Sequence, residues 1–534
     1  MPYRVLVTDD VDRDGVALLQ AEPQLRVDEV PTLPKDELLA RIGDYDAIVG
    51  RSATKISAEL LRAGTRLRVV GRAGVGVDNV AMDVATALGV AVINAPAGNT
   101  IAVAELVYGV LLSLLRHLPR AVESMRAGRW DRSALLGTEL KGKTLGIVGL
   151  GRIGSEVAAR AHAFGMQVFA FDPYVSDARF SALRVQRAAT LEALCDEADI
   201  LTVHTPLTDE TTGLVGRREI ARLRQGAIVA NLARGGIVDD AALQAALESG
   251  HLRGAALDVF ATEPPAAEHP LRAMPNVILT PHIGASTAEG QRNVAVDVCA
   301  AVRDALLTNE LGRSMNVASV EGQWRELQPA MLVARRAAAV ARALLADMGV
   351  RAVQRLTVRC GSAIAGGQQA LLSAAALGAI ESTTEAERLN LINARSLAEA
   401  RGMELAAGES VALPPTGVEV SMRGAMQELA VAGVTSTDGA PRLTRIGGFR
   451  VDVNPRQTLI VLTNRDVPGV IGRVGTVLGD AGVNIGEYHQ ARLAQGGEAL
   501  AVVSVDGAVA ADVREQLVAL PDVQTASVVQ FRES

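Results

Sequence analysis

The chain has 534 residues, more than one hydrophobic core normally organises, since cores stop growing near roughly 250–300 residues; three or four domains are therefore expected. Its 53 Lys and Arg against 60 Asp and Glu leave a formal charge of −7, which offers no global attraction for nucleic acid or a membrane surface and argues against both as partners. Only Cys195, Cys299 and Cys360 are present, too few and too scattered for a disulfide framework or a zinc site, so no metal is expected and a reducing, cytoplasmic setting fits.

The opening Met-Pro-Tyr-Arg-Val-Leu-Val-Thr-Asp-Asp lacks a basic flank and a long apolar stretch, and reads as a first strand rather than a leader. To residue 97, short apolar strands (5–7, 47–50, 67–71, 90–94) alternate with helix-like stretches (34–41, 58–63), the rhythm of a parallel α/β unit. The apolar stretch 101–115 is interrupted by Glu105 and falls short of the roughly 20 residues that span a bilayer, so it reads as a buried helix. A second α/β unit follows, with strands at 144–148, 167–171, 200–204, 227–231, 255–259 and 277–279. Residues 292–308 have a helical period and are expected to cross back to the first lobe, leaving a cleft between lobes of the kind ligands favour.

Residues 317–453 are apolar and Ala-rich, show no acid-base cluster, and read as a structural or regulatory module. The last segment reads strand (459–462), helix (470–480), strand (484–492), strand (499–505), helix (510–520), strand (526–531), the βαββαβ order of the ferredoxin-like split motif. The expected architecture is α/β: a two-lobed, Rossmann-like parallel-sheet core, an α+β intervening domain, and a ferredoxin-like domain. The boundaries are 1–97 with 292–316 for a substrate-binding domain, 98–291 for a nucleotide-binding domain, 317–453 for the intervening domain, and 458–534 for the last.

Two groups of residues carry chemistry. Gly149-Leu-Gly-Arg-Ile-Gly154 lies between a strand and a helix: Gly149 permits the tight turn, Gly151 lets a pyrophosphate approach the backbone at the positive helix end, and Gly154 allows the helix to pack closely. Asp172 closes the next strand about 20 residues on, where a carboxylate accepts from ribose hydroxyls and repels a 2′-phosphate, which favours NAD over NADP. In Asn231-Leu-Ala-Arg-Gly-Gly-Ile-Val-Asp239, Arg234 can clamp a carboxylate through two N–H groups. His282 can exchange a proton with the hydroxyl or carbonyl oxygen of the acid, and Glu263 can orient its ring and stabilise its charged form. An arginine, a carboxylate and a histidine in this order suffice to oxidise a 2-hydroxy acid.

At these residues the chain resembles the D-isomer-specific 2-hydroxyacid dehydrogenase family, over about residues 1–316. Within it, Val49-Gly-Arg-Ser-Ala-Thr-Lys55, Arg72-Ala-Gly-Val-Gly-Val-Asp-Asn79, Asn94-Ala-Pro-Ala-Gly-Asn99 and His282-Ile-Gly-Ala-Ser-Thr287 resemble the branch that acts on 3-phospho-D-glycerate. The resemblance implies oxidation of that acid with NAD at the entry to L-serine synthesis, with 2-oxoglutarate reduction as an accompanying activity. It implies substrate contacts from Arg51, Arg72 and Asn99, and from Arg132 of a neighbouring subunit in a homodimer or homotetramer. Around NAD it places Arg152 and Ile153 at the pyrophosphate and Thr205 and Pro206 near the adenosine. Leu232, Ala233, Asp258, Gly284 and Ala285 are placed near the nicotinamide, as is Val75, where some members have threonine. The tail resembles an ACT domain through Asn464-Arg-Asp-Val-Pro-Gly-Val470 and Ala481-Gly-Val-Asn-Ile485, which implies L-serine as an effector at Asn464, Asp466 and Asn484; Asn464 stands where His or Tyr is frequent. An ACT domain that only joins subunits is the other reading. In the intervening domain, Asn390-Leu-Ile-Asn-Ala-Arg395 with Arg401-Gly-Met is the clearest match, and Arg445 with Arg450 form either an anion patch or a solvated charged face. Two alternatives remain for the whole chain: a dehydrogenase for an unphosphorylated acid such as glyoxylate or hydroxypyruvate, and a non-catalytic NAD(H)-sensing protein on the same fold.

Overall fold

The strands most apolar in sequence become the centres of two parallel sheets, because a parallel strand is covered on both faces and must be apolar on both. The structure, a computed structural model, describes residues 2–317, 324–383, 388–436, 438–456 and 458–531. In the first sheet five parallel strands run in the order Leu25–Glu29, Tyr3–Val7, Ala47–Gly50, Val69–Arg72, Ala91–Asn94. Leu25–Glu29 was not expected from the sequence. It is an edge strand, Leu-Arg-Val-Asp-Glu, with charged side chains reaching water, so it lacks the apolar run that marks its neighbours.

The helix Ala288–Thr308 returns to this sheet as the periodicity predicts, and two glycines set how closely it lies. A Cβ on Gly71 would stand 2.7 Å from Val302 Cγ2, and one on Gly15 would stand 2.5 Å from the Ala295 carbonyl carbon.

The second sheet has seven parallel strands in the order Val277–Leu279, Leu252–Leu257, Ala227–Asn231, Ile200–Val203, Thr144–Val148, Gln167–Phe171, Gln186–Arg187. The order reverses between Ile200–Val203 and Thr144–Val148, the crevice where open α/β sheets bind ligands beyond the carboxyl ends of their strands. The helix Thr100–Leu115 is largely buried against this sheet, and Glu105 lies at its margin, 3.5 Å from Arg160.

The intervening region is α+β as expected, with a sheet whose individual strands the sequence did not place. Its order is Glu404–Glu409, Arg355–Cys360, Gly417–Gly424, Gln427–Thr435, Pro441–Ile446, Phe449–Val453, antiparallel except for the first pair. The helices Trp324–Asp347 and Gln368–Ile380 back it, and a Cβ on Gly378 would stand 2.0 Å from the Arg335 carbonyl oxygen, so that crossing requires glycine. Gln368–Ile380 is covered almost all round and therefore shows no amphipathic period. Among the described residues Ser362–Ile380 is the one helical stretch long and apolar enough to cross a membrane, and 67% of it is buried inside this unit.

The C-terminal strands Ile485–Arg492, Glu498–Val505, Thr458–Arg465 and Val523–Gln530 pair antiparallel in that order, with helices Val470–Asp480 and Ala511–Val518 completing βαββαβ. Strand alternation splits this sheet's apolar residues between two cores. Ile460, Leu462, Ala501 and Val503 face its own helices, while Leu459, Val461, Leu500 and Val502 join a core that includes the helix Trp324–Asp347. Asp347 ties the two units by accepting from Arg514 (2.9 Å) and from the Ser527 hydroxyl.

Candidate active site

The loops that leave the carboxyl ends of both parallel sheets meet in the cleft between lobes. On the second lobe Gly149 adopts φ +92°, and a Cβ there would lie 2.8 Å from the His204 carbonyl oxygen. A Cβ on Gly154 would lie 2.2 Å from the Gly149 carbonyl oxygen, so only glycine allows the helix Arg152–Ala163 to start there. Gly151 has open space on its side-chain face. Asp172 is fixed against this turn, accepting from the Leu150 N–H (2.8 Å) and the Tyr174 N–H (2.9 Å). An open glycine at a helix N-terminus with a carboxylate beside it fits a dinucleotide pyrophosphate and its ribose. Arg152 and Ile153 begin the helix, and Thr205 and Pro206 follow the neighbouring strand Ile200–Val203. Thr205 Oγ1 is buried with no hydrogen-bond partner among the described residues.

Across the sheet, Asn231 shapes the loop that carries Leu232, Ala233 and Arg234: its side chain donates to the Arg234 carbonyl (2.9 Å) and accepts from the Ala233 N–H (3.1 Å). A Cβ on Gly235 would lie 2.0 Å from the Phe260 carbonyl carbon, so this loop crosses the one bearing Glu263 at backbone contact. Glu263 accepts from the Phe260 N–H (3.1 Å) through one oxygen and meets His282 Nδ1 at 2.7 Å with the other. A carboxylate only accepts, so Nδ1 carries the proton and Nε2 is the nitrogen available to a reacting oxygen. His282 itself sits at φ +53°, a conformation held by buried Asp258. One Asp258 oxygen accepts from Thr280 Oγ1 (2.6 Å) and the Ile283 N–H (2.8 Å), the other from the Gly284 N–H (2.8 Å). Asp258 is thus the anchor of the histidine turn, a part the sequence did not suggest for it. Ala285 continues the turn, accepting from the Thr287 N–H at 3.0 Å.

The first lobe contributes cations. Arg51 follows the strand Ala47–Gly50, and its N–H donates to Asp9 (2.8 Å), which also accepts from the N–H and hydroxyl of Thr54 (2.9 and 2.7 Å). Arg72 ends the strand Val69–Arg72 and folds over Gly74, where a Cβ would stand 1.3 Å from its Nη1. Burial first, then the nearby guanidinium groups of Arg234 and Arg51, push Arg72 down to about 10, still charged at neutral pH. Arg51, Arg72 and Arg234 therefore converge from two lobes into one cationic region. Asn94 donates to the Val75 carbonyl (2.5 Å), and Asn79 donates to the carbonyls of Arg51 (3.1 Å) and Thr54 (2.7 Å), which fixes the intervening loop. The sequence reading missed Asp9, Asp78 and Asn79 as supports; the last two stand in the quoted Arg72–Asn79 motif. Asn99 precedes the helix Thr100–Leu115 with its Oδ1 buried and unpartnered among the described residues. Arg132 is exposed on the short turn Arg132–Leu135 and makes no hydrogen bond or ion pair with the cluster.

The expected effector residues are each engaged within the C-terminal unit. Asn464 is fully buried and donates to the Arg465 carbonyl (2.7 Å), and Asn484 donates to Asp506 (2.7 Å). The Gly496 N–H (3.2 Å) and Arg492 (3.1 Å) hold the Asp466 carboxyl below the usual range. Arg445 and Arg450 face each other across a hairpin, and Glu419 neutralises Arg445 while lying 3.6 Å from Arg359. The Asn390–Arg395 segment docks on the first lobe: Asn390 donates to the Gly89 carbonyl (2.7 Å), and nearby Arg388 donates to the Thr65 carbonyl (2.9 Å).

Residues 108–284 match the D-isomer specific 2-hydroxyacid dehydrogenase, NAD binding domain, and residues 458–522 match the ACT domain. The chain is 38% identical over 536 aligned residues to a D-3-phosphoglycerate dehydrogenase of Bacillus subtilis, covering 99% of this chain and 100% of that one. A D-3-phosphoglycerate dehydrogenase of Methanocaldococcus jannaschii is 34% identical over 530 residues, with 99% and 100% covered. The crystal structure of the TT0316 protein from Thermus thermophilus superposes with a TM-score of 0.53 at 37% identity, over 57% of this chain and 96% of that one.

His204 lies beneath the glycine turn with Nε2 3.0 Å from Thr202 Oγ1, and burial pushes its pKa from 6.5 down to about 4. A histidine kept neutral in the fold but free to protonate when unfolded contributes stability that is fully present above 6.5 and lost as pH falls through about 4. The decline of the thermal midpoint with falling pH over this window is therefore expected to be shallower for His204→Gln than for the parent chain. Parallel slopes would show that His204 is not held neutral.

Proposed function

The chain belongs to the D-3-phosphoglycerate dehydrogenase family and is an NAD-dependent dehydrogenase of that family; from this premise we propose that it oxidises 3-phospho-D-glycerate to 3-phosphooxypyruvate, the first step of L-serine synthesis. The observation that carries the choice of substrate is the convergence of Arg51, Arg72 and Arg234 beside the His282–Glu263 pair. A 2-hydroxy acid needs one cation for its carboxylate; two further guanidinium groups suit a second, doubly charged group such as a phosphate.

In this reading Arg234 holds the carboxylate, and Arg51 and Arg72, with Asn99 and a partner's copy of Arg132, hold the phosphate end. His282 Nε2 takes the hydroxyl proton, and Glu263 stabilises the imidazolium that results. Bound NAD supplies the hydride acceptor. Gly149, Gly151, Arg152, Ile153 and Gly154 cradle its pyrophosphate, Asp172 its ribose, Thr205 and Pro206 its adenosine side. Val75, Leu232, Ala233, Gly284 and Ala285 surround the nicotinamide, with Asp258 bracing the turn that faces it. Residues 1–97 with 292–316 act as the substrate domain and 98–291 as the NAD domain. Residues 317–453 form the intervening domain, and 458–534 the ACT domain.

The same site accommodates 2-oxoglutarate as a smaller 2-oxo acid, and a cytoplasmic homodimer or homotetramer is the assembly we assign. L-serine is the effector we assign to the ACT domain, with Asp466 as partner for its ammonium after release from Arg492. Equilibrium dialysis that finds no saturable serine binding would leave that domain a joining device only.

Replacing Arg51 by Ala removes a charge-assisted contact, worth about ten- to a hundredfold in affinity. The Michaelis constant for 3-phospho-D-glycerate is expected to rise by that amount while the one for glyoxylate, an acid with a single carboxylate, stays nearly constant. Equal changes for both acids would remove the phosphate assignment and favour an unphosphorylated substrate.

A further inference from the structure

The clamp arginine is itself held. Arg234, on the second lobe, donates through Nε to Asp78 of the first lobe at 3.0 Å and through Nη1 to the Ala233 carbonyl at 2.7 Å. Nη2 makes no hydrogen bond to a described residue, so the end of the guanidinium between Nη1 and Nη2 is the edge left for a carboxylate. The pair lies directly over Gly76, where a Cβ would stand 2.0 Å from Arg234 Nη2 and 2.6 Å from Asp78 Oδ2. Asp78 is in turn followed by Asn79, whose side chain is anchored on the carbonyls of Arg51 and Thr54. Its side chain is 67% exposed and that of Arg234 27%, and ion pairs this open to water contribute little to folding. Stability alone does not account for a loop that gives up a side chain at Gly76 to accommodate them.

We propose that Asp78 is a positioning residue for the carboxylate clamp: by taking the Nε edge of Arg234 across the cleft, it turns the Nη edge toward the acid and holds the two lobes in register at the point where substrate binds. The proposal rests on the reading of Arg234 as the carboxylate ligand. It distinguishes Asp78 from a mere counterion, which would compete with the substrate for the same guanidinium. A counterion weakens binding; a positioning residue strengthens it by sparing the arginine a search over rotamers.

The test uses the full chain and hydroxypyruvate with NADH, a probe whose carboxylate engages the clamp whether or not the natural acid is phosphorylated. Asp78→Asn is expected to raise the KM for hydroxypyruvate about tenfold with kcat changed less than about threefold, while NADH binding followed by fluorescence is unchanged. Asp78→Glu, which keeps the charge, should recover most of the loss. In an Arg234→Ala background Asp78→Asn should have no further effect, because the interaction it serves is gone. An unchanged or lowered KM in Asp78→Asn, or its full effect persisting without Arg234, overturns the proposal. If Arg234→Ala itself leaves KM unchanged, the clamp reading fails, and with it the role assigned to Asp78.

Discussion

Three guanidinium groups in one cleft repel one another, and the architecture around the cleft is what keeps Arg51, Arg72 and Arg234 together before any acid arrives. At an effective dielectric near 20, like charges about 4 Å apart repel by roughly 4 kcal/mol, and the repulsion falls with distance. Burial of Arg72 adds to the strain and shows as a pKa pushed down to about 10. The supports are short carboxylates and glycines: Asp9 behind the Arg51 backbone, Asp78 on Arg234, Gly74 beneath Arg72 and Gly76 beneath the Arg234–Asp78 pair. In the proposed reading, an anion with two charged ends would relieve this repulsion from both lobes at once.

The acid-base pair depends on the same lobes through a different device. Asp258, fully enclosed by three donors of the Thr280–Gly284 turn, fixes the left-handed backbone of His282, and the Gly235 crossing brings the Glu263 loop against the Arg234 loop. His282, Glu263 and Arg234 are therefore positioned by backbone contacts a single added carbon would disturb.

Much of this was legible in the sequence, and unevenly so. The central parallel strands and the glycine turn stood out because complete burial forces continuous apolar runs and a φ of +92° demands glycine at 149. The ferredoxin-like tail was readable from the order of its strands and helices. The edge strand Leu25–Glu29 was missed because its exposed face is charged, and the elements of the intervening domain were not placed one by one, its helix Gln368–Ile380 being apolar on every side and so without a readable period. The candidate trio Arg234, Glu263 and His282 could be read as residue types in order. The braces Asp9, Asp78 and Asp258 could not be read as braces, because an acid's partner lies 22 to 156 residues away in the chain and only the folded loops bring them together.

If the arginine cluster serves a phosphorylated 2-hydroxy acid, NADH formation from 3-phospho-D-glycerate and from D-glycerate, measured side by side on the intact protein with the oxo product trapped, should differ sharply. On this account the expected kcat/KM for the phosphorylated acid is higher by about a hundredfold or more, the worth of two charge-assisted contacts. Comparable values for the two acids would contradict it.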